Sequence, residues 1–133
     1  MNSLDTNILV YAADASDSKK QTIALRLITK ASRESWPVCA HVYGEFFNVA
    51  IRRKHTTRAE AEAVISAWKL LMPPVASSLA AHDGALELAT AHQMQYWDAL
   101  IIATCAEHGV KQLYTEDGPG IVMPLGVRCT DPF

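Results

Sequence analysis

Cysteine is scarce here. Cys39, Cys105 and Cys129 are the only three in 133 residues, and no CxxC or mixed Cys/His spacing joins them. An odd, scattered set builds neither a disulfide framework nor a zinc site, so reduced, mostly buried thiols in a cytoplasmic protein are expected. No apolar run approaches the ~20 residues that a membrane helix needs. Asp5 interrupts the segment that would have to form a signal-peptide core, so no signal peptide is expected. There is no excess of positive charge. Twelve Lys and Arg stand against fourteen Asp and Glu, for a net charge of −2. That excludes a strongly basic nucleic-acid wrapper but leaves room for a local basic strip. A glycine-rich phosphate loop and a GxGxxG fingerprint are both missing, as is the GxSxG of a serine hydrolase. His41, His55, His82, His92 and His108 show no metal-ligand spacing, and surface or core roles are the default. Repeats, low-complexity tracts and linkers are absent, so residues 1–133 read as one domain. What is plentiful is apolar side chain, at 50% of the chain, enough for a sizeable core.

The apolar segment 3–10 is expected to form a buried first strand, with residues 3–5 its end and 8–13 continuing apolar. A polar break at 14–18 offers Ser or Asp as a helix cap. Ile23, Leu27 and Ala31 then recur at four-residue spacing, the mark of an amphipathic helix. Residues 36–40 suit a second buried strand. Helices are expected over 41–53, ending in Arg52-Arg53-Lys54-His55, and over 58–71, capped by Thr57. Val75 begins a brief strand. A fourth helix runs from 78 or 79 to 93 with Leu79, Leu86 and Ala89 inside, and a fifth over 98–108, ended by Gly109. Strands are expected at 112–114 and 127–129, with a turn at 115–120 between them. Strands alternating with helices predict an α/β layer fold with a mainly parallel sheet. In such sheets ligands bind beyond the carboxyl ends of the strands. Asp5 and residues 115–117 would lie there.

Four acids occupy awkward places. Asp5 sits inside an apolar run, where an unpaired carboxylate costs several kcal/mol. Val42, Glu45 and Val49 share a helix face, so Glu45 is set into an apolar stripe, or else snorkels to solvent at its edge. Asp98 heads the face Ile101, Ile102, Cys105, where a helix N-cap is the plain alternative. Asp117 precedes Gly118 and reads equally as a turn residue. Convergence of all four at one rim would raise their pKa values unless a cation sat among them. Hard divalent ions such as Mg²⁺ or Mn²⁺ take such oxygen ligands. A site of that kind activates water and stabilises charge developing on a phosphodiester.

These residues resemble a known family. Segments 4–12 (LDTNILVYA), 45–49 (EFFNV), 96–101 (YWDALI) and 114–117 (YTED) are similar to the successive motifs of PIN-domain nucleases, most of all the VapC-like toxins of toxin–antitoxin pairs. The likeness spans almost the whole chain, including Asp131-Pro132-Phe133. It implies a three-layer α/β/α sandwich with a short, mainly parallel central sheet, and metal-dependent endoribonuclease activity with Mg²⁺ or Mn²⁺. By position, Asp5, Glu45 and Asp98 match the acids around the metal, with Asp5 and Asp98 its direct ligands, and Asp117 matches a fourth, more variable acid. Thr6 and Asn7 match a polar pair, Thr115 a small hydroxyl, and Glu116 is second-rank. Implied partners are RNA, a small VapB-like antitoxin and a second copy of the chain. Arg52, Arg53 and Lys54, with Lys19 and Lys20, are candidates for the RNA backbone, or simply complement a helix dipole. Tyr96 and Trp97 offer faces for base stacking, although burial in the core or a dimer interface is the expectation for Trp97. A non-catalytic RNA- or protein-binding module of the same fold is the alternative function. A phosphatase-like hydrolase with Asp5 as nucleophile is disfavoured, because Asn7 stands where many such enzymes carry a second aspartate.

Overall fold

A computed structural model describes residues 1–117 and 124–133. The elements follow in the order β1 (Asn2–Leu4), α1 (Thr6–Ala13), α2 (Ser18–Glu34), β2 (Val38–Cys39), α3 (Ala40–Arg52), α4 (Arg58–Leu71), β3 (Pro74–Val75), α5 (Leu79–His92), α6 (Tyr96–Glu107), β4 (Gln112–Tyr114) and β5 (Arg128–Thr130), with a short 3₁₀ turn at Pro124–Gly126. Three strands form a sheet in the order β1-β4-β5, and β2 pairs with β3; every pairing is parallel. The Ser3 hydroxyl, 1% exposed, donates to the Pro37 carbonyl at 2.6 Å and ties β1 to the segment entering β2. Ser3 and Leu4 are both buried, as expected of a parallel strand covered on each face. The result is a short parallel sheet within a three-layer α/β/α sandwich.

The first apolar segment does not run on as a strand. β1 stops at Leu4, and Thr6–Ala13 is helical. Asp5 makes the break. Its backbone is still extended (φ −86°, ψ 167°) and its N–H donates to the Tyr114 carbonyl, while its side chain accepts from the Thr6 N–H. Thr6, Ile8, Leu9, Val10 and Ala12 are all buried, so α1 is apolar almost all round. Periodicity cannot separate such a helix from a buried strand.

The buried face of α5 also differs from expectation. Ala81, Ala85 and Leu88 turn inward, whereas Leu79 is 85% and Leu86 58% exposed. The small side chains let α5 lie close against α6, and helix spacing follows the residues at the contact. α6 is the central helix, with every residue from Ala99 to Cys105 buried. Its cap is Gln95, so Asp98 stands in the first turn and the simple capping explanation for it fails. The turn expected at 115–120 is described only as far as 117, and its remainder lies outside the described residues.

Tyr43 shows how α3 and the end of α4 are locked. It is 2% exposed and its hydroxyl donates to the Met72 carbonyl at 2.7 Å. Tyr43→Phe leaves that buried carbonyl without its side-chain donor. It should cost about 1–2 kcal/mol, lowering the melting temperature by several degrees in a thermal scan.

Candidate functional site

Asp5 leaves β1 at its carboxyl end, and Thr115 leaves β4 alongside it. One Asp5 oxygen accepts from the Thr6 N–H at 2.6 Å, and the other accepts from the Thr115 hydroxyl at 2.7 Å. The carboxylate is 7% exposed. Burial pushes its pKa up from 3.8 to about 6, against the lowering effect of those two hydrogen bonds, and the charges of Asp98 and Glu45 push in the same direction as burial. Asp98, at the head of α6, is also raised, first by burial and then by Asp117 and Glu45.

Glu45 lies on the edge of the buried stripe Val42, Phe46, Ala50 of α3 and is itself exposed. It reaches back to the site by accepting from the Thr6 hydroxyl. Asn7 braces the other side. Its amide nitrogen lies 3.3 Å from Asp117 Oδ2 and 3.4 Å from the Thr115 hydroxyl, and its oxygen accepts from the Glu116 N–H at 3.3 Å. The Thr115 hydroxyl in turn accepts from the Asp117 N–H at 3.1 Å. Thr6, Asn7 and Thr115 therefore position the acids.

Asp5, Glu45, Asp98 and Asp117 all line one cavity of about 590 Å³. Its walls include Thr6, Asn7, Tyr11, Arg53, Gln95 and Glu116. The four acids anticipated from sequence are thus brought together. Among the described residues, no three His, Cys, Asp or Glu side chains stand close enough to hold one ion as they are placed. The chemistry of the set still fits a hard divalent cation: it is all oxygen, it has no thiol or imidazole, and two of its carboxylates are raised by burial and by their neighbours.

The remaining candidates divide. Arg53 lines the cavity, and Arg52 and Lys54 do not. Lys20, a candidate for RNA contact, is instead committed to Glu116 and Tyr11. It also sits over the rings of Tyr11 and Phe133, at 4.7 and 5.4 Å. Burial alone would raise Glu116, but the bonds from Lys20 and from the Tyr11 hydroxyl (2.7 Å) hold it below the usual range. Tyr11 is the residue that sequence reasoning missed. Read as a helix, 6–13 places Tyr11 one turn beyond Asn7 and on its face. Trp97, expected in the core or an interface, is 52% exposed.

The PIN domain family profile matches residues 3–118. The chain belongs to the PIN-domain family. No curated protein matches it significantly. Among solved structures, this PIN domain is similar to Mycobacterium tuberculosis VapC20, described as a sarcin-ricin loop cleaving toxin, with a TM-score of 0.72 and 23% identity over 96% of this chain and 99% of that one. It is also similar to VapBC2 of Rickettsia felis, solved bound to a promoter DNA fragment (TM-score 0.69, 15% identity, 97% and 96% covered). FitAcB of Neisseria gonorrhoeae is a third (0.68, 15%, 99% and 98%). These likenesses establish the PIN fold.

Asp5 gives a pH prediction for the cation-free protein. Its folded pKa lies above its unfolded value, so its contribution to stability is present below pH ~4 and lost as pH rises through about 6. The interval corresponds to about 3 kcal/mol at most. In the presence of a chelator, Asp5→Asn should melt higher than the wild type at pH 7.5, and the gap should close towards pH 4. A gap independent of pH would show that the Asp5 carboxylate is not the penalised group.

Proposed function

We propose that this PIN-domain protein is a divalent-cation-dependent endoribonuclease, and that it acts as a toxin of the VapC type held in check by a small antitoxin. One observation carries this reading: four carboxylates from four separate parts of the chain line a single cavity at the carboxyl ends of β1 and β4. The toxin role is supported by the solved structures it resembles, which include a toxin–antitoxin complex from Klebsiella pneumoniae (TM-score 0.65, 18% identity, 100% and 98% covered).

Asp5 and Asp98 would hold Mg²⁺ or Mn²⁺, with Glu45 and Asp117 completing the acidic wall. Such an ion, when bound, supplies a Lewis acid for phosphoryl oxygens and lowers the pKa of water. The protein's own part is positional. Thr6 and Thr115 fix the Asp5 carboxylate, and Asn7 holds the segment carrying Asp117 against α1. Arg53, on the cavity wall, offers a cation to the backbone of an RNA strand. An antitoxin that covers this cavity would meet the same acids, which favours a basic side chain on the partner. Leu70, Leu71, Leu79 and Leu86 are exposed, at 87%, 49%, 85% and 58%, and supply apolar surface for the homodimer we also propose. Among the described residues no helix is long and apolar enough to cross a membrane. We place the activity in the cytoplasm, with its RNA substrate. The alternative is a non-catalytic RNA- or protein-binding module that keeps the fold.

Three measurements test the proposal, and the cleavage assay separates it from the binding module. Mg²⁺ or Mn²⁺ should raise the melting temperature, by about 2.7 kcal/mol of stabilisation at a hundredfold excess over Kd, and Asp5→Asn should blunt that rise. Asp98→Asn should reduce cation-dependent RNA cleavage by at least about a hundredfold, the scale of removing one key electrostatic group. A folded chain that binds Mn²⁺ and cuts no RNA would establish the binding module instead. Arg53→Ala should weaken RNA affinity more than Arg52→Ala or Lys54→Ala, with a shallower salt dependence.

A further inference from the structure

A second recess opens beside the acidic cavity. It measures about 240 Å³ and is lined by His41, Glu45, Asn48 and Trp97. Glu45 lines both spaces, so the recess adjoins the site. Trp97 immediately precedes Asp98, and Asn48 lies one helical turn beyond Glu45 on α3.

Three features distinguish this recess from ordinary surface. The indole of Trp97 is half exposed, although a large aromatic surface gains by burial. It is also braced: Tyr96 packs edge-to-face against it with centroids 5.1 Å apart, and a 2.6 Å hydrogen bond between the Tyr96 hydroxyl and His82 Nδ1 steadies Tyr96. A ring held this way loses little freedom when something stacks on it. The third feature is an unmet polar group. His41 Nε2 is buried and has no hydrogen-bond partner among the described residues, and a buried polar atom without a partner is costly enough to be rare. The His41 ring faces Trp97 at 6.5 Å, tilted by 45°.

A flat aromatic face beside an amide with both donor and acceptor matches an unpaired nucleobase, which has a π-face and polar edges. We propose that this recess is a base-docking subsite: Trp97 stacks on a base next to the scissile phosphate, while Asn48 contacts its edge. The proposal rests on the ribonuclease reading above, because a base is placed here only if its phosphate enters the acidic cavity. The subsite would make cleavage depend on a single-stranded nucleotide, and the edge contacts would set which base is preferred.

The test uses the full-length protein and short single-stranded oligoribonucleotides, intact or with one abasic position moved along the strand. Binding is read in chelator by quenching of Trp97 emission, isolated as the difference between wild type and Trp97→Phe, and by fluorescence anisotropy of labelled RNA for every variant. Trp97→Ala should weaken binding and raise KM by about 5- to 150-fold, the range for loss of one stacked base, with kcat at saturation little changed. Trp97→Phe should recover most of the loss. An abasic site at one position beside the cut should reproduce the loss in the wild type and add nothing to Trp97→Ala. Quenching that requires a base, in a protein that cuts no RNA, would uphold the subsite and overturn the nuclease reading. Trp97→Ala that binds and cuts as the wild type does would overturn the subsite and leave the nuclease reading in place. Equal loss in Trp97→Ala with intact and abasic RNA would also overturn it, by assigning Trp97 a structural role.

Discussion

Both oxygens of the Asp5 carboxylate are held, one by the Thr6 N–H and one by the Thr115 hydroxyl, at the point where β1 becomes α1. The rest of the site depends on that arrangement. The Thr6 contact marks the start of α1 and so fixes where Asn7 and Tyr11 project. The Thr115 contact ties the end of β4 to the end of β1, beyond the last backbone bond between Asp5 and Tyr114. Asn7 then grips residues 115–117, and Thr6 grips Glu45. One buried acid thus organises three segments that are far apart in sequence. The alternative, a buried carboxylate without partners, would be too costly to retain.

The same arrangement carries an electrostatic cost that hydrogen bonds reduce without removing. Asp5 and Asp98 both stand at the start of a helix, where the macrodipole favours negative charge. Both are nevertheless raised, because burial and neighbouring carboxylates outweigh that help. Glu45 and Asp117 are the more exposed members. The site therefore joins two acids at helix starts, Asp5 and Asp98, to two held by side-chain contacts from α1, Glu45 by Thr6 and Asp117 by Asn7. A collection of acids placed for stability alone would not concentrate in one cavity with so little positive charge facing them.

Three of the acids stood out in the sequence because they broke a local pattern: Asp5 in a strand run, Glu45 in an apolar stripe and Asp98 at the head of an apolar helical face; Asp117 read equally as a turn residue and came from the family resemblance. A mainly parallel sheet and most helix limits were legible too, the limits from caps such as Thr57 and stops such as Gly109, whereas the strand order β1-β4-β5 was not. Other features were hidden for physical reasons. Most of residues 6–13 are buried, and Asn7 and Tyr11, which reach the cavity, leave too narrow a polar face for a 3.6-residue period to show. The inward face of α5 is built from Ala81 and Ala85, and closeness of approach outranked side-chain size, leaving Leu79 and Leu86 outside. Trp97 was expected in the core or a dimer interface, whereas in the single chain it stands half exposed ahead of the buried run Ala99 to Cys105 of α6. The pairing of Lys20 with Glu116 joins residues 96 positions apart and leaves no local trace.

That last pair explains how two adjacent acids come to behave differently. Glu116 and Asp117 follow one another at the end of β4, and successive residues there point to different partners. Glu116 meets Lys20 and Tyr11 and is held ionised with its charge offset. Among the described residues the Asp117 carboxylate meets the Asn7 amide, and its charge raises Asp98. Were Glu116 unpaired, the cavity it also lines would carry a fifth uncompensated negative charge, and the inner acids would be driven further from ionisation. Lys20 is therefore better understood as a counter-charge that limits the acidity of the wall than as a hand extended to the substrate. Its placement over the Tyr11 and Phe133 rings keeps it there, because leaving would forfeit two aromatic faces as well as an ion pair. Among the described residues, Arg53 is the basic side chain that lines this cavity, from the end of α3, whereas Lys20 is paired with Glu116.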